Sequence, residues 1–70
     1  MPSFSPELIQ TMRAALNEVM TKVPVDQATP GFKAYMAEFI LRTAVNGLTN
    51  YEDLLAAATE KIQMVLSQLI

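Results

Sequence analysis

Three helix-start signals divide the chain into segments of similar length, and they constrain its fold more than any other feature of the sequence. The signals are Ser5-Pro6-Glu7, Thr29-Pro30 and Thr49-Asn50-Tyr51-Glu52, and each precedes a stretch whose apolar residues recur at helical spacing. Serine and threonine accept hydrogen bonds from the free N–H groups of a first helical turn, and proline suits the first helical position. Start signals and spacing together predict three helices.

The apolar spacing places these helices at residues 6–23, 30–46 and 50–69. The first stripe advances in steps of three and four residues over Ile9, Met12, Leu16, Val19 and Val23, and Pro24 ends the helix. The second helix has two neighbouring apolar lines, Phe32-Met36-Phe39-Thr43 and Tyr35-Ile40-Ala44, and Asn46-Gly47 ends it. The third stripe runs over Tyr51, Leu55, Ala58, Ile62, Val65 and Leu69, with Leu54, Leu66 and Ile70 beside it.

No segment reads as a strand, so the sequence predicts an all-α three-helix bundle forming one domain over residues 1–70, with sequential helices packed together. Left- and right-turning bundles fit the sequence equally well. A core in a chain of this size gives only about 3–5 kcal/mol of net stability. The chain has no cysteine and no histidine, which excludes disulfides and imidazole–zinc sites. Well-packed helices or association with another chain must supply the rest.

The composition favours association. Apolar residues make up 51% of the chain and charged residues 17%, against about 25% charged in a typical domain. The net charge of −2 argues against nucleic-acid and anionic-membrane partners, because both are bound through lysine and arginine. The first twelve residues lack the basic start of a secretory signal, and the longest apolar run, Leu54 to Ala58, is far short of a membrane span. We therefore expect a soluble, cytoplasmic protein.

No constellation of residues indicates catalysis, so the sequence predicts neither an enzyme nor a metal or cofactor site. Nucleophilic catalysis needs a base beside its nucleophile, and no lysine stands beside a serine in such a pattern. Glu52 and Asp53 are the only adjacent carboxylates, and neighbours on a helix point about 100° apart. They suit the positive end of the helix dipole instead. Gly31 and Gly47 are the only glycines, which excludes a glycine-rich phosphate loop.

A small helix-turn-helix-like regulator that binds nucleic acid is the alternative. Ala44, Gly47 and Thr49 before the last helix fit that motif loosely, although Glu52 and Asp53 would face phosphates. Such a regulator would need a basic face combining Arg13, Lys33, Arg42 or Lys61. The last helix is also amphipathic, but its polar face lacks the row of basic residues typical of a membrane-surface helix.

The leading hypothesis is helix–helix contact with another protein, as a homo-oligomer or as an accessory to a larger protein. Methionine suits both irregular cores and adaptable binding faces, and Met12 and Met36 are expected in the core. Met64 lies off the main stripe of the third helix, and the apolar C-terminus is the best place for a partner to dock. The predicted contact residues are Phe4, Met64, Leu66, Leu69 and Ile70.

Several short stretches together resemble a group of short, all-helical bacterial proteins with no assigned activity. The stretches are Phe4-Ser5-Pro6-Glu7, residues 12–16 (MRAAL), residues 18–24 (EVMTKVP), Ala56-Ala57-Ala58-Thr59 and Ile62-Gln63. The likeness covers the whole chain, but these are structural residues, and they transfer no functional role. The resemblance implies a free-standing small bacterial protein rather than a fragment of an enzyme.

Overall fold

The computed structural model describes residues 4–68 and confirms an all-α three-helix bundle. Helix α1 spans Pro6–Met20, α2 spans Pro30–Val45 and α3 spans Tyr51–Gln68, with a short 3-10 turn at Val25–Gln27. The molecule measures 37 × 21 × 18 Å. All three pairs of helices pack together, and the most extensive contact joins α1 to α3, which are not sequential neighbours.

The first two helices begin where the sequence predicts. The hydroxyl of Ser5 accepts from the backbone N–H of Leu8 at 3.1 Å, and the hydroxyl of Thr29 accepts from that of Phe32 at 3.1 Å. Each cap precedes a proline in the first helical turn. These bonds are local, spanning three residues, which is why the sequence is sufficient to predict them.

The start of α3 differs from the prediction, because Asn50 and not Thr49 caps the helix. The side-chain oxygen of Asn50 accepts from the backbone N–H of Glu52 at 3.0 Å and from that of Asp53 at 3.3 Å. Asparagine is at least as good a cap as threonine, so two adjacent candidates compete for one position. The helix that follows starts at Tyr51.

The predicted end of α2 at Asn46-Gly47 is confirmed. Gly47 has a φ of 108°, which only glycine adopts without strain. The N–H of Gly47 donates to the carbonyl of Ala44 at 3.0 Å, and the N–H of Leu48 donates to that of Thr43 at 3.2 Å. This pair of bonds is a Schellman motif, and it turns the chain directly into α3.

The end of α1 comes three residues earlier than the predicted Val23. Beyond Met20 the backbone forms the three-residue hydrogen bonds of a tighter helical turn. The N–H of Lys22 donates to the carbonyl of Val19 at 3.1 Å, and the N–H of Val23 donates to the carbonyl of Met20 at 3.3 Å. The hydroxyl of Thr21 also donates to the carbonyl of Glu18 at 2.6 Å. Because Pro24 disfavours helical geometry at Val23, the last turn narrows before it reaches the proline.

The core consists of one line of three residues on each helix or just beyond it, spaced four residues apart. Its members are Ala15, Val19 and Val23 from α1 and its following turn, Met36, Ile40 and Ala44 from α2, and Leu54, Ala58 and Ile62 from α3. One alanine in each line lets the backbones approach closely, while Met36, Ile40, Leu54 and Val19 fill most of the volume.

The core takes most of its residues from the predicted stripes but does not include the whole of any of them. Leu54, expected beside the stripe, is fully buried, whereas Tyr51 is exposed. Ile9 and Tyr35, both expected in apolar stripes, are also exposed. The apolar stripes are wider than the core, and the positions of the two neighbouring helices decide which part of each stripe is covered.

Candidate functional site

The residues predicted to contact a partner occupy different environments. Phe4 and Leu66 are half-buried and pack against the core. Met64 on α3 is 51% exposed. Leu69 and Ile70 lie outside the described residues. Of this set, Met64 is therefore the one described side chain that stands available on the surface, and its contact role remains a prediction.

Arg42 and Lys61, two of the basic residues that a nucleic-acid-binding face would need, both contact other side chains of this chain. Arg42 pairs with Glu38 on α2, with 2.6 Å between the guanidinium and carboxylate atoms. Lys61 reaches across from α3 to the aromatic side chains of α2. Across residues 4–68, no three acidic side chains gather into a group that could hold a metal ion, and no helix is long and apolar enough to cross a membrane.

An apolar groove of about 190 Å³ runs between α1 and α2. Helix α1 contributes Ile9, Met12, Arg13 and Leu16 to its lining. Helix α2 contributes Ala37, Ile40 and Leu41. Of the described residues that line the groove, only Arg13 is charged.

The α2 wall of the groove arises from a second apolar line on that helix. Ala37, Leu41 and Val45 follow the spacing of the buried line one residue further along the chain, which rotates them by about 100° from the core. Leu41 is 41% exposed and Val45 is 55% exposed. We call these three residues the open flank of α2.

The α1 wall uses residues that the sequence predicts for the core. Met12 and Leu16 are half-buried and pack against the core from its edge, and Ile9 is 38% exposed. The core line of α1 passes instead through Ala15 and Val19. The predicted stripe of α1 therefore divides into a buried part and a groove wall.

Sequence analysis missed Leu41 and Val45 entirely. A signal for them does exist, because α2 carries three apolar lines at steps of four residues, one more than two neighbouring helices can cover. The Glu38–Arg42 pair forms a narrow polar ridge on the side of the helix away from Ile40. Counting the polar positions on α2, rather than the apolar ones, would have shown that this helix carries more apolar residues than two neighbouring helices can cover.

The other side of α2 also carries large apolar side chains, and there a lysine of α3 covers part of them. The rings of Phe32 and Tyr35 stack with centroids 6.2 Å apart. The ammonium of Lys61 lies 5.8 Å from the ring centre of Tyr35 and 5.7 Å from that of Phe39. We call Tyr35 and Phe39 the lysine-covered flank of α2.

The groove offers a ligand aliphatic surface and one guanidinium, and no acid or nucleophile lies in its described lining. Such a surface can bury apolar side chains and can pair with one carboxylate. No protein-family model, curated protein or solved structure matches this chain.

Proposed function

We propose that this protein acts by helix–helix contact with another protein chain, a second copy or a larger partner, and that the groove between α1 and α2 is the contact surface. The observation that supports the proposal most directly is the open flank, where Leu41 lines the groove together with Ile9, and Val45, one turn further along α2, is 55% exposed. Removing apolar surface from water contributes about 25 cal/mol per Å². A partner helix laid along the groove would remove these side chains from water together.

The composition of the groove lining supports the same proposal. Methionine and arginine are enriched in protein interfaces, whereas lysine and acidic residues are scarce there. The groove has that composition, with Arg13 among the aliphatic side chains.

Three further expectations from the sequence belong to this proposal. The protein is not an enzyme, it works in the cytoplasm, and its partner is neither nucleic acid nor a membrane. The net charge of −2 supports the last point.

The test uses one charge placed at three positions. Leu41→Glu puts a carboxylate in the groove, Met64→Glu puts one on the sequence-predicted contact surface, and Val25→Glu is the matched control at a 93% exposed site in the 3-10 turn. Each variant is examined by light scattering for self-association and by capture of partners from a lysate of the native host. Thermal melting by circular dichroism verifies that each variant is folded.

The proposal expects Leu41→Glu to lose association while Val25→Glu keeps it. Loss of association in Met64→Glu alone would move the contact surface to the C-terminal half of α3. A wild-type chain that neither self-associates nor captures any protein that Leu41→Glu fails to capture would refute the proposal.

A further inference from the structure

We infer that the occupant of the groove is a second copy of this chain, in a two-fold dimer in which α1 of each copy lies over α2 of the other. The inference rests on the proposed function, and it adds the identity of the partner and the arrangement of the two chains. The inference is supported by the charge at the groove, the symmetry of the dimer and the size of the contact.

Arg13 favours an acidic partner at the groove. Among residues 4–68 the structure forms one ion pair, between Glu38 and Arg42. Arg13 therefore forms no ion pair with the described residues of its own chain. A helix laid over the groove would bring the exposed guanidinium of Arg13 to the rim of the contact, where a complementary charge favours one partner and one register. An occupant with a carboxylate at the α1 edge of the groove is therefore favoured.

Glu38 is a carboxylate of this chain at the matching level. Arg13 lines the groove together with Ala37 and Leu41, so it lies at their height along the bundle. Glu38 follows Ala37 directly and stands exposed at the outer edge of α2. Glu38 forms a solvent-exposed ion pair with Arg42 of the same helix, and such pairs contribute only a few tenths of a kcal/mol. Exchanging Arg42 for the Arg13 of a second copy therefore costs little.

Symmetry then selects the arrangement. A two-fold axis parallel to the helices keeps each residue at its height and exchanges the two sides of the face. It places the α1 edge of one copy over the α2 edge of the other, and Arg13 meets the partner copy's Glu38 twice, in equivalent pairs. A two-fold axis across the helices would lay α1 on α1, and at the level of Arg13 it would bring the two guanidiniums together. Like charges at that point disfavour the second arrangement.

The size of the face predicts a weak dimer. Helices α1 and α2 have 15 and 16 residues, which gives a face about 22–24 Å long and two helices wide, roughly 500 Å² per copy. A standard interface takes about 800 Å² from each partner. We therefore expect a dissociation constant in the micromolar range and a dimer that dilution dissociates.

Sedimentation equilibrium over a concentration series tests the partner, and charge exchange tests the pairing. Arg13→Glu and Glu38→Arg should each weaken self-association about tenfold, because two attractive pairs become repulsive. An equimolar mixture of the two variants should regain wild-type association, since both pairs in the mixed dimer are again attractive. Glu38→Gln controls for loss of the bond to Arg42 and should weaken the dimer by less than Glu38→Arg does.

Chemical cross-linking tests the arrangement. The chain has no cysteine, so Arg13→Cys and Glu38→Cys each provide a single thiol for a short bis-maleimide. The inferred dimer cross-links the mixture of the two variants, and neither variant alone cross-links as efficiently. Efficient linking of Arg13→Cys to itself would overturn the arrangement.

The outcomes separate this inference from the proposed function. A wild-type chain that stays monomeric at all concentrations, but captures a lysate protein that Leu41→Glu loses, overturns the second copy and leaves the groove as a contact surface. A dimer that persists in Leu41→Glu overturns both. A concentration-dependent dimer abolished by Leu41→Glu, retained by Val25→Glu and restored in the charge-exchange mixture supports the inference.

Discussion

The two flanks of α2 are alike in sequence and different in the folded protein. Both lie beside the buried line of Met36, Ile40 and Ala44, and both carry large apolar side chains. On the lysine-covered flank, Lys61 of α3 lies over Tyr35 and Phe39. On the open flank, Leu41 lines a groove whose other wall is α1, and Val45 is exposed one turn further along α2.

The difference comes from the neighbouring helix and not from the hydrophobicity of α2. Helix α3 places a long side chain over its side of α2, and the methylene groups of a lysine cover apolar surface while its ammonium stays in water. On the other side, α1 presents Met12 and Leu16 at the bottom of the groove and Arg13 at its edge. Lys61 thus covers part of one flank, where Tyr35 stays 45% exposed, and we propose that a partner covers the other.

The largest expected effect comes from the core beneath both flanks, to which α3 contributes Leu54. Leu54 is fully buried, so Leu54→Ala should lower the free energy of unfolding by about 2–5 kcal/mol, which is as much as a core of this size supplies. Urea denaturation followed by circular dichroism should find little folded protein. Leu54→Met, which conserves volume, should cost less than about 1.5 kcal/mol. Equal losses for the two variants would contradict close packing around this residue.

The next effect compares the flanks directly. Phe39 is half-buried and packs against the core, so Phe39→Ala should destabilise the chain by about 2 kcal/mol. Leu41→Ala, measured at a concentration where the protein is monomeric, should change the free energy of unfolding by less than about 0.5 kcal/mol. Paired urea titrations measure both. If Leu41→Ala were as destabilising as Phe39→Ala, the open flank would belong to the monomer's own core.

The smallest effect concerns the cover itself. Lys61→Ala removes both the ammonium and the methylene groups above Tyr35 and Phe39, and should cost about 0.5–1 kcal/mol. Lys61→Met keeps an apolar side chain of similar length and should recover the packing part of that loss. Thermal melts of the two variants measure the difference. Identical melting temperatures for the wild type and Lys61→Ala would mean that the lysine does not stabilise this flank.

Much of the fold follows from the sequence because its determinants are local. Ser5, Thr29 and Gly47 act through hydrogen bonds to residues three to five positions away, and all three do what the sequence predicts. The predicted cap of α3, Thr49, lies one residue before the observed cap at Asn50. The predicted end of α1, Val23, lies three residues beyond the observed end at Met20. Both errors arose where neighbouring residues offer two local solutions of similar energy.

The candidate site was far less predictable. Sequence analysis placed Ile9, Met12 and Leu16 in the core and did not single out Leu41 or Val45, yet these five residues surround or adjoin the groove. A helical apolar period identifies which residues avoid water, but it does not say which neighbouring helix covers them. Leu66, a predicted contact residue, is half-buried and packs against the core, and its contact role stays a prediction.

By itself, the sequence determined that this chain forms three helices, where two of them start and how α2 turns into α3, since helical period and capping act within a few residues. Only the tertiary structure decided that Leu54 is buried, that Lys61 covers one flank of α2, and that Leu41 and Val45 stand open beside α1. Those outcomes depend on how three helices are rotated about their axes when they pack, and that rotation is set by contacts between residues far apart in the chain.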